Sequence, residues 1–262
     1  MVKALLGEIN IDLNARDASG RVTLHWAAMD GASEVIRVLV DRGADVNLRD
    51  CQQFTALCLA ARSNSKASDF LPPLKMLLGA PNIDVNLSDD SGRTALHWVV
   101  MKRVVDRTSK CFVPERLWTD DAVQLIEKLL DQGANVNLQD SQGCTALYLA
   151  VENHNFEAVK LLSKVPGIDL NLKEAVHGWT ALYKAAKIQT WEYSFEMLRA
   201  ESNIDVEVLT EALELIKDNV YFSDAILLFK DRIARTEAIQ RGERVSVLRK
   251  KFFVPSLSTN EL

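Results

Sequence analysis

Two short phrases recur along this chain, and they recur in step. The first reads DLN at 12–14, DVN at 45–47, DVN at 84–86, NVN at 135–137 and DLN at 169–171. The second follows each of them as TLHWAA at 23–28, TALCLA at 55–60, TALHWV at 94–99, TALYLA at 145–150 and TALYKA at 180–185. The asparagines of the first phrase stand 33, 39, 51 and 34 residues apart, and the leucines of the second 33, 39, 51 and 35. Two independent markers that step together define a repeat. A unit of this length is one supersecondary element that cannot bury its apolar face alone, so neighbours must stack into a continuous core.

Between the markers the apolar spacing is helical. Leu24, Ala27 and Ala28 lead into Val35, Ile36, Val38 and Leu39, at steps of three and four residues. Gly31 interrupts the run and Gly43 ends it, which predicts two short antiparallel helices joined by tight turns. The expected fold is all-α.

Residues Asp17 to Asn47 read DASGRVTLHWAAMDGASEVIRVLVDRGADVN. This resembles the ankyrin repeat, whose consensus runs D-x-x-G-x-T-P-L-H-x-A-A and then a second helix ending L-L-x-x-G-A-D-V-N. The resemblance covers residues 1–207 and implies a solenoid of β-turn fingers and antiparallel helix pairs. It divides the chain into a half repeat at 1–14 and repeats at about 15–47, 48–86, 87–137, 138–171 and 172–207. A helical capping region at 208–251 and a flexible tail at 252–262 follow, and the half repeat serves as a single-helix N-terminal cap. The departures from the consensus carry expectations of their own. Thr23 and a series of alanines replace the consensus proline. The consensus histidine survives as His25 and His97 but becomes Cys58, Tyr148 and Tyr183. Gln53 stands where the finger glycine belongs, which predicts an altered turn. The fifth finger carries one extra residue near His177. In the second repeat SNSKASDFLPP reads as a lengthened turn.

The resemblance implies protein binding on the concave face, lined by finger tips and the exposed parts of each first helix. Carried over, those positions include Arg21, Met29, Asp30, Phe54, Arg62, Arg93, Met101, Lys102 and Trp179. Arg21, Phe54, Arg93, Met101 and Trp179 are the preferred contacts, because arginine, methionine and aromatic side chains anchor interfaces. Phe54 and Trp179 have the alternative of packing between neighbouring fingers. Trp26 and Trp98 follow the histidine position, where the family buries leucine, and are expected in the core. An insertion at 102–121 brings Phe112 and Trp118, either as a second contact surface or as a lid on the outer side of the solenoid. The family also implies a modification. Asn47 and Asn86 fit the L-x5-[DE]-[VI]-N pattern of asparagine hydroxylation in animal cells, and Asn137 fits in part.

Other classes find little support. The chain has a net charge of −5 and a pI near 5.5, unlike a general nucleic-acid binder. Residues 230–251 form a local basic stretch, eight Lys or Arg against three Asp or Glu. Its interspersed acids suit a solvated helix face, with contact to an anionic membrane or nucleic acid as the alternative. No apolar run reaches the ~20 residues of a membrane span, and the start lacks the pattern of a secretory signal. Cys51, Cys58, Cys111 and Cys144 form no CxxC pair, as in a reduced cytosolic protein. Neither cofactor nor metal is implied, and a monomer is expected. An enzyme using Cys111, with His97 as its base, is the remote alternative. The expected function is therefore a non-catalytic adaptor. It is cast either as an effector of an intracellular bacterium, resembling the ankyrin effectors of Legionella, or as a eukaryotic cytosolic scaffold.

Overall fold

The computed structural model describes residues 12–63, 67–101, 120–199, 203–217 and 223–241. Among these residues the chain forms helices and turns, with isolated bridges only at Gln139–Thr145 and Lys173–Thr180. Five helix pairs follow one another: α1 (Thr23–Met29) with α2 (Ser33–Asp41), α3 (Ala56–Arg62) with α4 (Ala67–Leu78), α5 (Ala95–Val100) with α6 (Asp120–Asp131), α7 (Ala146–Glu152) with α8 (Phe156–Leu162), and α9 (Ala181–Lys187) with α10 (Trp191–Arg199). The first, inner helices stack on one another in one row and the second, outer helices in another. The marker leucines Leu24, Leu57, Leu96, Leu147 and Leu182 are all buried between the rows, joined from the outer helices by Ile36, Leu74, Ile126 and Leu162. Each such side chain contributes about 1.5–3 kcal/mol by leaving water, and each is covered by a neighbouring repeat as well as its own.

Local chemistry starts each inner helix. Thr55, Thr145 and Thr180 accept on their hydroxyl oxygens from the N–H groups of Cys58, Tyr148 and Tyr183, at 3.2, 3.2 and 3.1 Å. Val22 has no hydroxyl, and there Nδ1 of His25 accepts the Val22 N–H at 3.0 Å. His97 accepts the Thr94 N–H in the same way at 3.2 Å.

Two sequence expectations are corrected. The second finger keeps the ordinary turn: Gln53 adopts φ 61°, and its N–H reaches the Asp50 carbonyl at 2.9 Å, as the N–H of Gly20 reaches that of Asp17. The hydrogen bonds around the finger hold a side-chain-bearing residue in a conformation that usually costs about 1–2 kcal/mol. The stretch SNSKASDFLPP is also more than a long turn. Residues 64–66 lie outside the described residues, but helix α4 begins at Ala67 and runs through Pro72 and Pro73. Burial of Leu71, Leu74, Leu77 and Leu78 outweighs the backbone bonds that the prolines cannot make.

Beyond the fifth pair, α11 (Val206–Ile216) packs on α9, and α12 (Ser223–Gln240) packs on α10 and α11. They fill the inner and outer places of a sixth pair that has no finger. Ala212, Ala225 and Phe229 are buried within it. The described cations of the basic stretch are partly neutralised within α12 and just after it: Arg235 pairs with Asp231 at 2.6 Å and Arg241 with Glu237 at 3.6 Å. No helix among the described residues is long and apolar enough to cross a membrane.

Candidate functional site: a cation–aromatic face

The fingers are built around one acid each. Oδ1 of Asp50 accepts the N–H groups of Gln52 and Phe54, both at 2.9 Å, which closes the finger. Asp17, Asp89 and Asp140 do the same in their repeats. The fifth finger is one residue longer, and its acid is a glutamate. Glu174 reaches the N–H groups of Val176, His177 and Trp179 at 2.7, 2.7 and 3.3 Å. Burial pushes its carboxyl up, but these donors and nearby His177 outweigh that and hold it below the ordinary range. The fingers then zip together, with the N–H groups of Cys51, Asp90, Ser141 and Ala175 each donating to the preceding finger at 2.7–3.1 Å. A Cβ on Gly143 would lie 2.9 Å from the Ala175 nitrogen, so glycine permits this approach as well as the positive φ.

Asp50 and Asp140 have a second task. Their Oδ2 atoms pair with Arg21 at 3.0 Å and Arg93 at 3.1 Å, each across a repeat boundary. Both arginines, expected as partner contacts, thus also hold adjacent repeats together, and their guanidinium groups lie 5.2 and 5.3 Å from the rings of Trp26 and Trp98. The expectation for Trp26 is overturned outright. Its side chain is 44% exposed, and its indole N–H donates to Asp17 at 3.0 Å. Trp98 makes the matching bond to Asp89 at 2.9 Å. The finger carboxylate draws the indole onto the finger, whereas Leu59 and Leu149, with no polar atom to satisfy, stay buried at the same position. Phe54 takes the packing alternative: it is only 7% exposed, 6.2 Å from Trp98.

These side chains join a stripe along the inner-helix face. The Arg62 guanidinium lies between two rings, 4.9 Å from Phe54 and 5.5 Å from Trp98. Met29 and Met101 hold the equivalent places at the ends of α1 and α5, half-buried against the core. Asp30, just past α1, is exposed. Further along, Lys184 pairs with Glu152 at 3.0 Å and lies near the Tyr148 and Trp179 rings. At the far end His177 stacks on Trp179 at 4.1 Å, Tyr183 lies 5.5 Å from it, and the Lys187 ammonium sits 3.6 Å from its ring centre. Lys102, Phe112 and Trp118 lie outside the described residues, as does Cys111. Sequence reasoning missed Trp26 and the bridging role of Lys184. The repeated W-after-H of repeats 1 and 3, both with arginine in the finger, was the available signal.

The asparagines form a separate ladder. Oδ1 of Asn47, Asn86, Asn137 and Asn171 accepts the N–H of Asp84, Asn135, Asp169 and Asp205 at 2.9, 2.7, 2.9 and 2.8 Å. Their amide groups donate to the carbonyls of Asn82, Gly133, Gly167 and Asn203 at 2.7, 3.1, 2.8 and 3.1 Å.

Two of the described thiols and the imidazole of His97 are engaged or buried. Nε2 of His97 donates to the Leu138 carbonyl at 3.1 Å while Nδ1 is occupied at Thr94, and burial lowers its affinity for a proton. A base with both nitrogens engaged does not serve a cysteine nucleophile. Burial also pushes the thiols of Cys58 and Cys144 up to about 11 and about 12. No group of three or more His, Cys, Asp or Glu placed to hold a metal occurs among the described residues.

A model described as "Ankyrin repeats (3 copies)" matches residues 1–72 and 118–208. NF-kappa-B inhibitor zeta from Bos taurus is 28% identical over 190 residues, covering 68% of this chain and 26% of that protein. Neurogenic locus notch homolog protein 1 from Xenopus tropicalis is 31% identical over 144 residues, covering 55% and 5%. Inversin from Canis lupus familiaris is 29% identical over 175 residues, covering 58% and 16%. The chain thus spans about a quarter or less of these relatives. The crystal structure of an ankyrin repeat domain from Acinetobacter baumannii has a TM-score of 0.59 at 26% identity and covers 76% of this chain and 90% of its own. Repeat spacing, finger architecture, helix stacking and these matches agree: the chain belongs to the ankyrin-repeat family.

Proposed function

We propose that the protein is a non-catalytic binding module that captures another protein on its finger and inner-helix face. One observation carries this reading. Exposed or half-exposed aromatic side chains, with cations placed over them, line a single face of the stack. Aromatic and arginine side chains held rigidly lose little entropy when a partner covers them, which makes them efficient anchors. A photo-crosslinking residue at Met29 or Lys187 should yield partner adducts, and the same residue at Lys160 on outer helix α8 should not. Equal yields at all three positions overturn the assignment of the face.

The chain's biological setting is a finer reading of the same function, either an effector delivered to a host cell by an intracellular bacterium or a eukaryotic cytosolic scaffold. A translocation reporter fused with and without residues 243–262 separates the two. Delivery that depends on the tail supports the effector; no delivery supports the scaffold. Hydroxylation of Asn47, Asn86 and Asn137 belongs with either setting in animal cells. Each carboxamide bridges two repeats, so an enzyme must open the ladder locally to reach it. Mass spectrometry that finds no added oxygen on these residues removes the modification.

A further inference from the structure

The cations of the stripe differ in how they are neutralised. Arg21, Arg93 and Lys184 each pair with a carboxylate from a neighbouring repeat, at 3.0–3.1 Å. Arg62 and Lys187 have no carboxylate partner among the described residues, although both are exposed and both are held over aromatic rings. Around Arg62 lie the Phe54 ring, from the finger, and the Trp98 ring of α5, while Met29 and Met101 hold the equivalent places of the adjacent repeats. Around Lys187 lie Trp179, Tyr183 and His177. Between the two, the described cations Arg93 and Lys184 are closed by the Arg93–Asp140 and Lys184–Glu152 pairs. Two cations with fixed orientation and aromatic surroundings, on a chain whose net charge is −5, are a local inversion of the surface field.

Resting on the binding reading above, we infer that the face takes an extended acidic segment of a partner protein, with one carboxylate cluster on Arg62 and another on Lys187. The spacing follows from the fold. Arg62 ends α3 and Lys187 ends α9, three inner-helix steps apart. At about 8–10 Å per step the two cations are about 25–30 Å apart. An extended chain covers that distance in about eight residues, at about 3.3–3.6 Å each. Apolar side chains of the same segment meet the rings beside each cation. A guanidinium already held over two rings gives up little freedom on gaining a bidentate carboxylate.

The test is selection of a displayed library of random peptides, about sixteen residues long, on the whole protein. Representative hits are then synthesised and titrated against the Arg62→Glu, Lys187→Glu and Lys164→Glu variants. Lys164 is exposed just past outer helix α8 and controls for net charge. The expected hits carry two acidic clusters about eight residues apart. Their affinity should fall about tenfold with either Arg62→Glu or Lys187→Glu, and by less than about twofold with Lys164→Glu. Thermal melting of each variant guards against loss of fold. Hits without acidic excess, or with affinity indifferent to both reversals, overturn the acidic class and leave the binding reading standing. Loss at only one cation overturns the two-point register. Failure of the folded protein to enrich any peptide overturns this inference and counts against the binding face itself, which the crosslinking comparison checks separately.

Discussion

The asparagine ladder and the cation–aromatic stripe run the length of the same solenoid, and they are built on opposite principles. Four rungs of the ladder, at Asn47, Asn86, Asn137 and Asn171, are the same: an asparagine accepts one backbone N–H and donates to one backbone carbonyl of the next repeat. Along the stripe no two neighbouring places match. Trp26 is followed by Leu59, Trp98, Leu149 and Lys184, and Met29 by Arg62, Met101, Glu152 and Lys187. A contact made to backbone is indifferent to what the neighbour's side chains are, so it can be copied unchanged. Exposed side chains that the stack does not require are free to vary, and the proposed binding reading makes them the surface a partner meets.

The contrast can be pressed hardest at His97. His97→Ala leaves the Leu138 carbonyl and the Thr94 N–H without partners and opens a cavity, so we expect a loss of about 3 kcal/mol in denaturant unfolding. The same residue, with His25, sets an acid limit. Burial holds both imidazoles below their ordinary value, so the unfolded chain takes up protons first as pH falls. Stability is then complete above about pH 6.5 and declines below it, and His97→Gln should flatten that decline by about one proton in the slope of stability against pH. An unchanged slope would show that the acid limit lies elsewhere.

Asn86→Ala comes next. It removes both bonds of one rung, between the second and third repeats, at a cost of about 2 kcal/mol. Because repeats are coupled only to neighbours, hydrogen exchange should rise first on either side of that boundary. Glu174→Asp should cost about 1–2 kcal/mol, since the shorter acid cannot reach three donors in the longer finger, and deleting His177 alongside it should restore most of the loss. Gln53→Gly should add up to about 1 kcal/mol by releasing the left-handed strain. Last, Arg62→Glu should leave melting within about 0.5 kcal/mol of the parent. A large destabilisation there would move Arg62 from the recognition surface to the scaffold.

How much of this was legible in sequence depends on how local each cause is. The spaced D-x-N and T-x-L phrases are local, and they located the helix pairs, the marker leucines and the buried histidines. The repeat period also made the extra residue at His177 visible, though not the fact that Glu174 lengthens in step with it. Gln53 misled because its cost is borne by hydrogen bonds from its own finger and by the fingers on either side. The ion pairs of Arg21 and Arg93 were not legible because their partners, Asp50 and Asp140, lie one repeat away. Trp26 misled because an indole and a leucine look alike to a hydrophobic pattern, while a finger carboxylate tells them apart.

Sequence alone therefore determined the stack: a repeat that cannot bury its own apolar face must lean on the next one, and the period says where. Only the tertiary structure decided which side chains the stack uses up. Arg21, Arg93 and Lys184 meet carboxylates across repeat boundaries, while Arg62 and Lys187 meet none among the described residues. That distinction depends on geometry between repeats, where residues some thirty positions apart come within hydrogen-bonding distance, and no spacing within a single repeat encodes it.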